Sequence, residues 1–131
     1  VKPQFLLDSS VCIPVLRNQP GLEKLPDPTL TAIPVIVAAE LWTGVQKNLR
    51  THPHQAGRLA TFLGLFRIAD FTLEAAQHYG DIRASLEAVG TPIGPLDLLI
   101  AAQARSLGAT LVTRNAAEFK RVKGLKVQIW K

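Results

Sequence analysis

Short apolar runs alternate with longer stretches of helical spacing along the chain. Phe5-Leu6-Leu7, closed by Asp8, predicts a buried strand over residues 5–8. Ser9 or Ser10 stands where a cap belongs and opens a helix to about Leu16. Residues 18–31 carry Pro20, Gly21, Pro26 and Pro28, which predicts a loop with room for one short turn. A second strand is expected over 32–36, then a helix over 38–48 (AAELWTGVQKN). Pro53, between His52 and His54, marks a break, after which Leu59, Phe62, Leu63 and Phe66 follow helical spacing. Residues 67–70 predict a short third strand.

Thr72 can cap the next helix, with Glu74 in its first turn complementing the dipole. Tyr79, Ile82, Leu86 and Val89 form its expected apolar stripe, and Gly90 suits its stop. Pro95 fits the first position of a further helix and Gly108 its end. Residues 110–113 (TLVT) predict a strand, 118–122 a helical turn, and 127–130 a last strand. Strand and helix alternate throughout. That order predicts an α/β fold in three α/β/α layers, with a mainly parallel sheet of about five strands covered on both faces.

At 131 residues the chain fits one domain, 1–131, with enough length for one real core. Hydrophobic residues at 47% against 19% charged exclude a disordered chain. No apolar run is long enough for a membrane helix, and no secretory leader is visible, so a cytoplasmic protein without a membrane partner is expected. Cys12 is the one cysteine, which excludes an internal disulfide; between Val11 and Ile13 it reads as a small buried hydrophobe. A formal charge of +5 favours polyanionic partners.

The few acids are more telling. Asp8 ends the first strand, Glu40 falls in the first turn of the helix after the second, and Asp97 in the first turn of the helix opening near Pro95. Asn115 and Glu118 follow the TLVT strand. Open parallel sheets bind ligands outside the carboxyl ends of their strands. Separate segments therefore deliver carboxylates, or an amide, to one edge. No Lys or Arg lies within three residues of Asp8, Glu40 or Asp97. Two such charges 4 Å apart repel by about 4 kcal/mol at an effective dielectric of 20, so either their pKa values rise or a cation joins them. Oxygen ligands alone suit Mg²⁺ or Mn²⁺ over Zn²⁺, and such a site can hydrolyse a phosphodiester.

Bland roles compete at other positions. Asp81 reads as a surface helix residue, and His52, His54 and His78 lack metal-ligand spacing and read as surface histidines. Trp42 and Tyr79 suit the core or a dimer contact. Arg114, Lys120, Arg121, Lys123 and Lys126 gather near the acidic edge, where they are either a solvated face or a hold on RNA phosphates.

Four segments together resemble the PIN-domain ribonucleases, specifically the VapC-type toxins of toxin–antitoxin pairs. FLLDSSV is similar to that family's apolar strand followed by Asp-Thr-Asn or Asp-Thr-Ser. PVIVAAELWTGVQKN resembles its Glu-bearing second motif, and YGDIRASLEAVGTPIGPLDLLIAAQARSLGATLVTRNAAEF its long signature. RVKGLKVQIW resembles its final strand. The resemblance implies Mg²⁺-dependent endonucleolytic cleavage of RNA, with Asp8 and Asp97 as main metal ligands and Glu40 completing the pocket. Asn115 and Glu118 would hold a second ion or position water. It also implies a homodimer, held inactive by a small VapB-like antitoxin whose C-terminal segment enters the active-site groove. Ser9-Ser10 departs from the commoner Thr-Asn, and the neutral Asn115 weakens the expectation of a second metal and leaves a one-metal site open. The competing expectation is a PIN fold that binds RNA or antitoxin with little catalysis.

Overall fold

A computed structural model describes residues 2–17 and 21–131. Five strands, β1 (Phe5–Leu7), β2 (Thr31–Pro34), β3 (Arg67–Ala69), β4 (Thr110–Thr113) and β5 (Lys126–Ile129), pair in the order β3-β2-β1-β4-β5. Every pairing is parallel, with Leu6 opposite Ala32 on one side and Leu111 on the other. Successive strand residues point to opposite faces. Leu6 and Leu7 are both fully buried, as are Leu111 and Val112, so helices cover both faces of the central strands. This is the three-layer α/β/α arrangement that the strand–helix alternation predicts.

The helices are α1 (Ser9–Leu16), α2 (Val35–Lys47), α3 (Gln55–Leu63), α4 (Leu73–Ala88), α5 (Pro95–Leu107) and α6 (Ala116–Phe119). Three termini behave as the sequence predicts. Thr72 Oγ1 accepts from the Ala75 amide at 3.1 Å. Pro95 opens α5, where its missing N–H costs nothing. Gly108 closes α5 at φ 65°, a left-handed conformation that side chains resist.

Other boundaries differ from expectation. α2 begins at Val35, so Glu40 is its sixth residue and lies in the second turn instead of the first. Val35, Ile36 and Val37 read as strand by propensity; burial of Val37 and Leu41 on the helix outweighs that weak preference. α1 has Asp8 as its N-cap, and no serine hydroxyl caps it. α6 starts two residues before the turn expected over 118–122, β5 one residue early, and α3 ends before Phe66. Residues 18–20 of the expected loop lie outside the described residues; its remainder holds two short 3-10 turns, Leu22–Lys24 and Pro28–Leu30, and Thr31 belongs to β2. Val89 is 70% exposed and leaves the predicted stripe of α4. Cys12 is buried in the core as expected, but Trp42 sits at the surface and Tyr79 is half-buried. Among the described residues no helix is long and apolar enough to cross a membrane.

Candidate active site

Asp8 leaves β1 at its carboxyl end, in the middle of the sheet, and is almost wholly buried. Its two oxygens are held separately. Ser10 Oγ donates to Oδ1 at 2.5 Å, and Thr113 Oγ1 donates to Oδ2 at 2.6 Å. The two hydroxyls are themselves fixed by backbone donors: Arg114 N–H reaches Ser10 Oγ and Asn115 N–H reaches Thr113 Oγ1, each at 2.9 Å. A carboxylate so gripped cannot swing between rotamers. Burial pushes the Asp8 pKa up, while these hydroxyls pull it back down.

Three further acids stand around it. Glu40 projects from α2, half-buried, with Oε1 shielded from solvent and without a hydrogen-bond partner. Its pKa is raised by burial and then by the charge of Asp8. Asp97, third residue of α5, is pushed up to about 6. Burial is the largest cause, followed by a hydrogen bond to Glu118 and by the charges of Glu118, Asp8 and Glu40. Glu118 comes from α6. The four carboxylates that the sequence singled out, Asp8, Glu40, Asp97 and Glu118, therefore share one field at the carboxyl edge. Among the described residues no Lys, Arg or His is a cause of the shifts at Asp8, Glu40 or Asp97. Burial and the charges of Asp8 and Glu40 also push the Cys12 thiol up, leaving it inert beneath the site.

Asn115, the fifth expected residue, behaves differently. It is the N-cap residue of α6, its side chain makes no cap hydrogen bond, and the residue is exposed. Its backbone N–H supports Thr113. Thr113 itself escapes a sequence reading, because a hydroxyl ending an apolar strand looks like the strand's polar boundary. The available signal was its position: it closes the strand paired in parallel with β1, one step beyond the Leu7–Val112 partners. Ser10, expected as a candidate cap of α1, does not cap it and instead donates to Asp8.

The donor set is all oxygen, and its charge is uncompensated. Among the described residues no three His, Cys, Asp or Glu side chains are already drawn into a closed coordination shell. Glu40 Oε1 is nonetheless a buried acceptor lacking a donor, which normally carries a penalty of roughly 1–3 kcal/mol. A hard divalent cation, if bound, would satisfy that atom and lower the repulsion together. Beside Glu40, a cavity of about 150 Å³ opens between α1, α2 and α3, lined by Ile13, Leu41 and Leu59 and flanked by Arg17 and Arg58.

The basic residues divide. Arg114 follows β4 at the acidic edge, with its guanidinium 4.6 Å from the ring centre of Trp130. Arg121 reaches Pro92 O, ahead of α5. Lys126 instead opens β5 and donates to Gly108 O behind α5, while Lys123 O accepts from Arg105 in the last turn of α5. Lys123 and Lys126 thus lie at the amino edge, away from the acids, contrary to expectation. A parallel strand carries its preceding residues to the opposite edge from those that follow its neighbour. Asp81 is the surface acid expected, paired with Arg105 at 2.6 Å, whereas His78 is half-buried and accepts from the same arginine at 2.9 Å.

Comparison with known proteins agrees with this fold. The family model for the PIN domain matches residues 5–125. A Rickettsia felis protein named ribonuclease VapC2 is 38% identical over 131 residues, spanning 96% of this chain and 97% of the relative. A Salmonella typhimurium protein named tRNA(fMet)-specific endonuclease VapC is 35% identical, spanning 97% of this chain and 98% of its own. The crystal structure of DNA-bound VapBC from Salmonella typhimurium superposes with a TM-score of 0.92 at 33% identity, covering 98% of this chain and 99% of the other.

Proposed function

Because the chain belongs to the PIN-domain family, and within it to the VapC group, we propose that it is a Mg²⁺-dependent endoribonuclease and the toxin of a toxin–antitoxin pair. The observation that carries this reading is the acidic edge: burial first, then Glu118, Asp8 and Glu40, push Asp97 up to about 6. Asp8 and Asp97 would hold the ion directly, with Glu40 completing the pocket and Glu118 or Asn115 positioning water. Bound there, Mg²⁺, or Mn²⁺ in its place, supplies an acidified water and neutralises charge on the phosphate.

The chain's own groups do the rest. Ser10 and Thr113 present the Asp8 oxygens at fixed angles, so little reorganisation is left for the reacting state. Asp97 keeps its proton below about pH 6, where it can donate to Glu118, and releases it above. Only the ionised form can ligate or accept a proton from water. RNA is the substrate we assign, in a cytoplasmic setting; solved relatives from Salmonella typhimurium and Rickettsia felis are complexes named VapBC, which supports a small VapB-like antitoxin as partner. A homodimer gives the exposed Trp42 a surface to cover.

Purified protein with Mg²⁺ or Mn²⁺ is expected to cut a structured RNA, and EDTA to stop it. Asp8→Asn and Asp97→Asn are each expected to remove cleavage while the protein stays folded. Undiminished cleavage in both variants overturns the site. RNA binding that survives EDTA, with no cleavage at any metal concentration, selects the binding-only alternative instead.

A further inference from the structure

Arg114 is a cation beside an acidic edge that does not neutralise it. Its backbone N–H supports Ser10 Oγ, which in turn holds Asp8. Yet among the described residues its side chain forms no ion pair and donates no hydrogen bond. The guanidinium lies over the Trp130 ring instead.

Trp130 is built as a platform. Its backbone N–H donates to Thr113 O at 2.9 Å, which ties the ring's base to the strand end that grips Asp8. The residue is only 8% exposed and its ring packs on Gly21, where an added Cβ would stand 3.0 Å from Cζ2. A side chain there would have to push the ring aside by a few tenths of an ångström. A planar guanidinium over a fixed indole loses little rotamer freedom on meeting a ligand. Arg114 is exposed, and its backbone N–H lies two hydrogen bonds from Asp8, through Ser10.

We propose that Arg114, oriented by Trp130, is the phosphate-positioning residue of this site, gripping the RNA backbone next to the phosphate that is cut. This assignment rests on the ribonuclease reading. Phosphate oxygens are the chemistry it fits: a fork of donors matches two of them, and a single strand brings one phosphate per nucleotide past the acidic edge. The carboxylates below would repel that backbone, and Arg114 offsets the repulsion without occupying the cation's place among them. It acts on the substrate's position and leaves the bond-breaking atoms to the acids.

The test uses the full chain with a fluorescein-labelled single-stranded RNA and Mg²⁺. Binding is measured across a salt series in an Asp97→Asn background, where cleavage is expected to be silent. Adding Arg114→Ala is expected to weaken binding about tenfold, as loss of one charge-assisted contact does. It should also reduce the magnitude of the log–log salt slope by about 0.7. Arg114→Lys should keep the slope and recover only part of the affinity, because it keeps the charge and loses the fork. With Asp97 intact, Arg114→Ala should raise KM and hold kcat within about twofold. The Ser10 support survives the substitution, since it comes from the backbone, so the variant is expected to fold. Trp130→Phe, which keeps an aromatic face, should retain the slope with intermediate affinity.

Unchanged affinity and slope in Arg114→Ala, while Asp97→Asn still removes cleavage, overturns the Arg114 assignment and leaves the nuclease reading standing. An Arg114-dependent slope in a protein whose wild type cuts no RNA overturns the nuclease reading and leaves the Arg114–phosphate contact standing.

Discussion

The two edges of the sheet treat their acids in opposite ways. At the amino edge Asp81 is exposed, and Arg105 meets it at 2.6 Å while also holding His78 and Lys123 O. At the carboxyl edge Asp8 is buried and has two hydroxyls for company, and Glu40 keeps an oxygen with no partner. The first arrangement joins elements far apart in the chain and accounts for itself. The second works against folding, since burial and like charge both penalise ionisation. A domain retains such an edge when something outside the chain completes it. On the proposed function, the contrast separates acids that hold the molecule together from acids that serve a ligand.

Four experiments bear on that contrast, beginning with the largest effect. Asp8→Asn or Asp97→Asn should lower RNA cleavage by about 10³-fold or more, measured in single-turnover assays with saturating Mg²⁺. Thr113→Val keeps the shape of the side chain but frees Asp8 Oδ2. A loss of about 10- to 100-fold in cleavage or metal affinity is expected, read by activity and by calorimetric titration of Mn²⁺.

The third concerns pH. Asp97 binds its proton more tightly folded, with a pKa of about 6, than at the ordinary value of 3.8 when unfolded. Between these values the folded state holds more protons than the unfolded one, so metal-free protein should lose stability as pH rises from about 4 to 6. Asp97→Asn should then melt higher than wild type at pH 7 without metal, by about 1 kcal/mol after allowance for partial exposure. Mn²⁺ affinity should climb through the same range. A metal-free wild type whose melting temperature rises with pH over this range contradicts the shift. The smallest effect is at the other edge: Asp81→Asn should cost less than about 1 kcal/mol by thermal denaturation and leave cleavage untouched.

Most of the fold was legible because strand and helix patterns alternate cleanly and because Thr72, Pro95 and Gly108 are chemically suited to helix ends. The misplaced start of α2 has a physical cause. Val35-Ile36-Val37 follows β2 without a break in hydrophobicity, and only packing tells a β-branched helical turn from a strand. The acids of the site were legible since each follows or precedes an apolar run that fixes which end of the sheet it reaches. Thr113 was not, because its importance lies in a partner 105 residues away. Lys123 and Lys126 were misassigned for a related reason: neighbours in sequence were taken for neighbours in space, and the sheet sends them to opposite ends.

The central place of β1 has a bearing on when the acidic edge can assemble. Its first strand is synthesised early but finds one of its two flanking strands only after more than a hundred further residues have been joined. A nascent polypeptide lacking β4 offers Asp8 no Thr113, no Glu118 and only part of the surrounding wall. Contacts of such long range form late, after the costly loops are closed. The acidic edge therefore cannot assemble before β4 and α6 are made, and a truncated translation product carries Asp8 without Thr113 or Glu118.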